Sequence, residues 1–334
     1  MERILAAVDI GGTKITASLA NGKGIIAKVY QPAKKEGDDK TIPRQIKSMI
    51  EYICRKASVK KEKIEAMGIS TASPFEKKAE KLVVVAPNLC GGLAENQNVI
   101  PNKWSGIPLE EELGKQYRSL RIGNDCITAV VAERLFGAGR GEDNLVYVTW
   151  STGIGAGAFV DGHLLLGKNS NAMHLGHTFL APNEEEQPLC NCGDHGHLEA
   201  LVAGPAIARD YGAPTAVVFE QYRKGNNKAI QVIERAAKIF ALGLANAGAL
   251  LDTRLFILGG SVVLNNWDIL KPLIQKEFYK AFPTMTREVR FKPSALDKYL
   301  GDIAALSLIM PQEWIDYYQR HKPWKSAPEA FQLE

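Results

Sequence analysis

The sequence predicts an α/β protein built as two related lobes. Short apolar runs of period two alternate with stretches of helical period along the chain. A pattern of strand, glycine-rich turn, strand, hairpin turn and strand occurs twice, from residue 3 and again from residue 145. The 334 residues are enough for two domains at roughly 100–200 residues each.

Each element can be justified in turn. Residues 3–9 read as a buried strand, followed by Gly11-Gly12-Thr13-Lys14. Ile15, Ala17 and Leu19 then alternate with Thr16, Ser18 and Ala20, so a second strand follows the glycines. A P-loop or a dinucleotide fingerprint would place a helix there, and both are disfavoured. Asn21-Gly22 signals a hairpin turn into a returning strand at 25–30. Ile46, Met49, Ile50 and Ile53 share one face of a helix over 43–57, and 64–70 reads as a strand. Residues 73–106 read as loop-rich, with Pro74, Pro87 and Pro101. A helix over 108–119, a short strand at 119–123 and a helix from Asn124-Asp125 to Leu135 follow. The second half opens with a strand at 145–150, the glycine-rich turn Ser151–Gly157 and a hairpin signal at Asp161-Gly162. A long helix over 227–251 precedes a strand at 255–258 that ends in Gly259-Gly260. Further helices are expected near 267–279 and 300–310.

Composition narrows the functional classes. With 46% hydrophobic and 23% charged residues the chain is not disordered. Lys and Arg number 41 against 37 Asp and Glu and form no long basic block, so no nucleic-acid partner is expected. The longest uncharged apolar stretch, Ile239 to Leu251, falls short of a membrane span, so no membrane partner is expected either. The start runs directly into a strand pattern and does not read as a signal peptide. Five cysteines are no disulfide framework at this length, but Cys190 and Cys192 are close enough for a metal site in a reducing compartment. The protein therefore reads as cytoplasmic.

Several constellations carry chemistry. In Asp9-Ile10-Gly11-Gly12-Thr13-Lys14 the glycines let backbone N–H groups approach phosphate oxygens. Thr13 adds a hydroxyl, Lys14 a charge, and Asp9 a carboxylate able to hold Mg²⁺ through water. The turn Ser151-Thr152-Gly153-Ile154-Gly155 gains weight as a second phosphate turn because it pairs with the first. Gly259-Gly260 would let a planar ligand pack on backbone at a strand end, although alone it reads as a simple turn. Asp125 alone reads as a helix N-cap. Phosphoryl transfer, however, needs a carboxylate to accept a proton from the attacking hydroxyl. The neighbouring Asn124 is placed to bind a substrate hydroxyl. His177, Cys190, Cys192 and His197 form a set suited to tetrahedral zinc of structural type, with His195 as an alternative to His197. Glu199 would be positioned by that loop.

Together these residues resemble the ROK family of sugar kinases and repressors, from Asp9 to about Met310. The family's Asp-x-Gly-Gly-Thr-Lys matches residues 9–14, and its Asn-Asp pair matches Asn124-Asp125. Its Gly-Thr-Gly-Ile-Gly loop is similar to Ser151–Gly155, and its sugar-side Ala-Pro-Asn-Leu is similar to residues 86–89, which include Asn88. Its Ala-Gly-Glu-Ile-Gly-His loop reads here Ala172-Met173-His174-Leu175-Gly176-His177. Its Cys-x-Cys-Gly-x-x-Gly-Cys-Leu-Glu motif reads Cys190 to Glu199, with His197 in place of the third cysteine.

The resemblance implies an actin-like ATPase (ribonuclease H-like) duplicated fold with two lobes around a cleft. The small lobe would span 1–122 plus 311–334 and the large lobe, with its zinc loop, 123–310. It implies ATP and Mg²⁺ as cofactors, a structural Zn²⁺, a small-molecule sugar as substrate and a homodimer. Asp125 would be the catalytic base for transfer to a sugar 6-hydroxyl. His174, His177 and Glu199, with Asn88 and Asn124, would face the sugar. A glutamate accepts hydrogen bonds only, whereas a neutral imidazole donates one and accepts one. His174 in place of the family glutamate therefore favours a sugar bearing a carbonyl, an N-acetylhexosamine, with N-acetylmannosamine ahead. A glucokinase or broad hexokinase is the alternative, and a catalytically weak sugar-binding sensor the alternative of another class. The family's repressors carry a helix-turn-helix before the first strand, for which residues 1–3 leave no room. The segment 90–102 departs from the family's shorter connection.

Overall fold

The computed structural model describes residues 3–93, 100–117, 119–182 and 184–333. The chain forms two compact units: residues 1–136, 166–172 and 298–334, and residues 137–165 and 173–297.

The first unit is built on strands β1 (Ile4–Ile10), β2 (Lys14–Asn21), β3 (Gly24–Pro32) and β4 (Ile64–Thr71), a hairpin of β5 (Phe75–Lys78) and β6 (Lys81–Val84), and β7 (Leu120–Asn124). Its main sheet runs β3-β2-β1-β4-β7, extended at the β3 edge by Phe331–Gln332. β1 and β2 are antiparallel, with Asp9 opposite Thr16, while β1, β4 and β7 are parallel. The strand expected after the first glycine turn is therefore present. Helix Thr41–Lys56 buries Ile46, Met49, Ile50 and Ile53, the face read from its periodicity. Residues 73–93 hold more order than expected, because β5 and β6 form a hairpin whose turn residues, Ala79 and Glu80, both have positive φ. That turn geometry usually takes Asn-Gly, so its sequence signal is absent here.

The first unit extends past the boundaries expected at 122/123 and 310/311. Helix Asp125–Phe136 continues directly from β7, and helix Leu300–Ser307 packs on it and on β1 and β4. Residues 166–172 also join this unit. Asn171 accepts the Phe75 N–H at 2.8 Å and donates to the Phe75 carbonyl at 2.7 Å. Helix Gln312–His321 then follows, with the Tyr318 hydroxyl donating to the Asn21 carbonyl at 2.9 Å. In the 90–102 segment, residues 94–99 lie outside the described residues. The Asn102 amide ties the rest down by donating to Lys35 and Leu89 carbonyls, at 2.9 and 3.1 Å.

The second unit contains β8 (Leu145–Trp150), β9 (Ile154–Val160), β10 (His163–Leu164), β11 (Leu255–Gly259) and β12 (Arg290–Pro293). The sheet order is β10-β9-β8-β11-β12, with β8–β9 and β9–β10 antiparallel and β8–β11 and β11–β12 parallel. Order and strand senses repeat those of the first sheet. Helix Asn227–Leu251 matches its expected limits and is capped by Asn226, whose side chain accepts the Ala229 N–H at 3.0 Å. Three helices at Leu198–Val202, Gly204–Tyr211 and Thr215–Arg223 have no clear sequence signal, being too short to establish a period. Among the described residues no helix is long and apolar enough to cross a membrane.

Candidate active site

In the first unit, the turn after β1 is closed by the Gly11 N–H donating to the Lys14 carbonyl at 2.9 Å. Gly11 and Gly12 have no positive φ, so their freedom of backbone angle is not what the turn uses. Space is tight at Gly12, since a Cβ there would stand 3.0 Å from the Asn88 amide nitrogen and would have to displace it. That contact brings Asn88 against the turn. Thr13 is exposed, and the Lys14 ammonium lies over the Tyr30 ring at 5.8 Å.

Asp9 sits near the end of β1 and is partly buried. Its carboxyl is pushed up to about 6. Desolvation is the main cause and the charge of Asp125 adds to it; a hydrogen bond from Ser70 and the charge of Lys14 oppose it. Asp302, itself paired with Lys28, raises it slightly further. A partly buried carboxylate facing other carboxylates gains from a cation, so the residues present suit Mg²⁺.

The structure separates the roles of Asn124 and Asp125. Asn124 is buried, and its side-chain oxygen accepts the Ile127 N–H at 2.6 Å, which makes it the helix cap. Asp125 is thereby relieved of capping and stands at the first helical position with an accessible carboxylate. Its Oδ1 accepts the Cys126 N–H at 2.9 Å. Desolvation pushes its carboxyl up.

In the second unit, the turn after β8 carries Thr152 and Gly153, with the Ser151 N–H donating to the Gly153 carbonyl at 3.0 Å. Glu199, in the first turn of Leu198–Val202, accepts the Ile154 N–H at 2.8 Å through Oε2. A Cβ at Gly153 would lie 2.6 Å from the same oxygen, so any larger residue there would displace the Glu199 carboxylate. Gly259 ends β11, and Gly260 has φ +88, a conformation that favours glycine. Ser261 follows, its hydroxyl 3.0 Å from that of Ser151. Beside this turn opens a cavity of about 480 Å³ lined by Thr152, Pro205, Thr215, Phe219 and Asn265 among others. Its size is that of a small-molecule site. Of these residues only Thr152 stood out in the sequence; the rest come from short helices and loops that only folding brings together.

The metal set assembles in this unit. The donor atoms of His177, Cys190, Cys192 and His197 all lie within 4.8 Å of one another. The Cys190 sulfur is 3.6 Å from His177 Nδ1, and the Cys192 sulfur 3.2 Å from His197 Nδ1. A tetrahedron with bonds of ~2.0–2.3 Å has edges of roughly 3.3–3.8 Å, so the set fits Zn²⁺. His195 is not part of it; its Nδ1 is 2.6 Å from the Gln187 carbonyl oxygen. The His174 ring lies 5.8 Å from that of His177. Burial first, and then the charge of His177, holds the His174 pKa below its ordinary value, which favours the neutral ring.

These features define an α/β protein with a glycine-bearing turn after the first strand of each sheet and a carboxylate at a helix start. Residues 5–308 match the ROK family, and the chain belongs to it. It is 33% identical over 255 residues to a glucokinase of Pyrobaculum calidifontis, covering 74% of this chain and 80% of that one. It is 30% identical over 266 residues to an N-acetylmannosamine kinase of Citrobacter koseri, covering 77% and 83%. The crystal structure of a ROK hexokinase from Thermus thermophilus superposes with TM-score 0.74 at 29% identity, covering 91% of this chain and 97% of that one. The fold is accordingly of the actin-like α/β class.

Proposed function

We propose that this chain is an ATP-dependent sugar kinase that transfers the γ-phosphate of ATP to the 6-hydroxyl of a hexose or N-acetylhexosamine. The observation that carries this reading is the division of labour at the helix start. Asn124 satisfies the cap, and Asp125 keeps an accessible carboxylate with a raised pKa. Asp125 takes the proton as the sugar oxygen forms its bond to the γ-phosphorus and ADP leaves. The turns at Gly11–Lys14 and Thr152–Gly153 offer backbone N–H groups to the phosphates. The cavity beside Thr152 and Gly260 is read as the place of the nucleoside. Asp9 would hold Mg²⁺, which would supply charge neutralisation on the phosphates. His177, Cys190, Cys192 and His197 would hold Zn²⁺, which would order the segment leading into the helix that carries Glu199. The matching strand orders of the two sheets support a duplicated fold with two lobes.

For the sugar itself we favour N-acetylmannosamine. A neutral His174 donates one hydrogen bond and accepts another, which suits an N-acetyl carbonyl better than a glutamate would. Asn88, His177 and Glu199 would meet the hydroxyls, while Asn124, expected beside them, is spent on the helix cap. Glucose is the competing substrate, supported by the likeness to glucokinases. The test is ADP release from Mg-ATP with N-acetylmannosamine, glucose, N-acetylglucosamine, mannose and fructose, with Asp125→Ala as control. Turnover of one sugar that is lost in the variant supports the reading. Sugar binding without turnover on any of them points instead to a sensor. In His174→Glu the turnover ratio of glucose to N-acetylmannosamine should rise; an unchanged ratio refutes the role given to His174.

A further inference from the structure

We propose that Ser70 and Thr128 are positioning residues that tie the Asp9 carboxylate to the helix start bearing Asp125. This inference rests on the kinase reading above. Asp9 and Asp125 belong to different elements, β1 and helix Asp125–Phe136, and their charges repel. Between them stand two buried hydroxyls. Ser70 lies on β4 directly opposite Asp9, and its side chain hydrogen-bonds the Asp9 carboxylate. The Ser70 hydroxyl is 3.0 Å from that of Thr128. Thr128 in turn donates to the Asp125 backbone carbonyl at 2.9 Å. The chain thus runs from the Asp9 carboxylate through Ser70 and Thr128 to the main chain of Asp125.

Hydrogen accounting shows why the two hydroxyls act as one. Each has a single proton. Three acceptors compete for the two protons: the Asp9 carboxylate, the neighbouring hydroxyl and the Asp125 carbonyl. An ionised Asp9 has no proton to give, so the three contacts cannot all be made at once. When Thr128 turns its proton to Ser70, Ser70 must give its own to Asp9, and when Ser70 turns to Thr128, Thr128 must give its own to the Asp125 carbonyl. Both side chains are sealed from water, with 3% and 0% exposure, so no solvent makes up the missing bond. The placement of Asp9 and that of the Asp125 main chain are therefore coupled through this pair. A carboxylate displaced by even about 1 Å loses much of its effectiveness as a base.

The test compares Ser70→Ala, Thr128→Val and the double variant with wild type, using Ser70→Thr and Thr128→Ser as conservative rescues and Asp125→Ala as control. Turnover is measured with the preferred sugar, and melting temperature without ligands. Each single variant should lose about tenfold in kcat with the sugar KM within about twofold. The double variant should be no slower than the slower single, since both break one chain. The rescues should recover most of kcat. A kcat near wild type in both singles, with Asp125→Ala inactive, overturns the proposal. So do single effects that multiply in the double, or losses of kcat that follow the melting temperature and are not rescued. Wild-type activity in Asp125→Ala would refute the base assignment, and the relay with it.

Discussion

Replacing Asp9 with Asn should stabilise the ligand-free protein while removing its activity. The folded-state pKa of Asp9 is raised from 3.8 to about 6, chiefly by desolvation and then by Asp125. The native state therefore binds this proton more tightly than the unfolded chain. Ionising Asp9 costs nothing in stability below about 3.8, progressively more up to about 6, and the full amount above that. About two pKa units correspond to at most about 3 kcal/mol. Asn carries no charge and escapes this cost. With an unfolding entropy of about 2.1 cal/mol/K per residue, a chain of 334 residues melting as one would gain about 4 °C. The assay is calorimetric melting of both proteins from pH 5 to pH 8, without Mg²⁺ or nucleotide. The gap should be widest at pH 7–8 and shrink towards pH 5. A variant that melts at or below wild type at pH 8, or a gap that does not change with pH, would refute the argument. Turnover should be nearly abolished, because the group that destabilises the fold is the one that would hold the cation.

Further predictions test the remaining parts of the site. Elemental analysis of the purified protein should find about one zinc per chain, and His197→Ala should lose it and melt earlier; a wild type that takes up no zinc refutes the metal reading. Gly153→Ala should push Glu199 off the Ile154 N–H, a charged hydrogen bond worth about 1.5–3 kcal/mol, and raise the sugar KM about 10–100-fold. An unchanged KM would show that Glu199 does not contact the sugar. Asn124→Ala should cost about 0.5–2 kcal/mol in denaturant unfolding through loss of the cap, whereas Asp125→Ala should cost little stability and nearly all activity. Equal losses of stability in the two variants would contradict the division of roles.

The sequence alone determined what local patterns encode. The alternation of Ile15, Ala17 and Leu19 placed β2 after the first glycine turn, because strand period survives without any partner in view. The face of helix Thr41–Lys56 and both limits of Asn227–Leu251 were legible for the same reason, since long periodic segments state their own boundaries. The grouping of His177, Cys190, Cys192 and His197 was legible through residue type and close spacing, and the structure brings their donor atoms together. Tertiary structure decided what depends on contacts between distant segments. It took His197 rather than His195 into the metal set, because His195 turns to the Gln187 carbonyl. It gave the cap to Asn124 and left Asp125 its carboxylate, a choice between adjacent residues that helix-start preferences cannot make. It returned residues 298–310 to the first unit, where helix Leu300–Ser307 packs on β1 and β4. It also set Ser70 opposite Asp9 and against Thr128, residues 58 positions apart from each other. Periodicity and residue type are written along the chain. Hydrogen-bond partners and packing belong to segments that meet only when the backbone folds, and a single sequence carries no local trace of them.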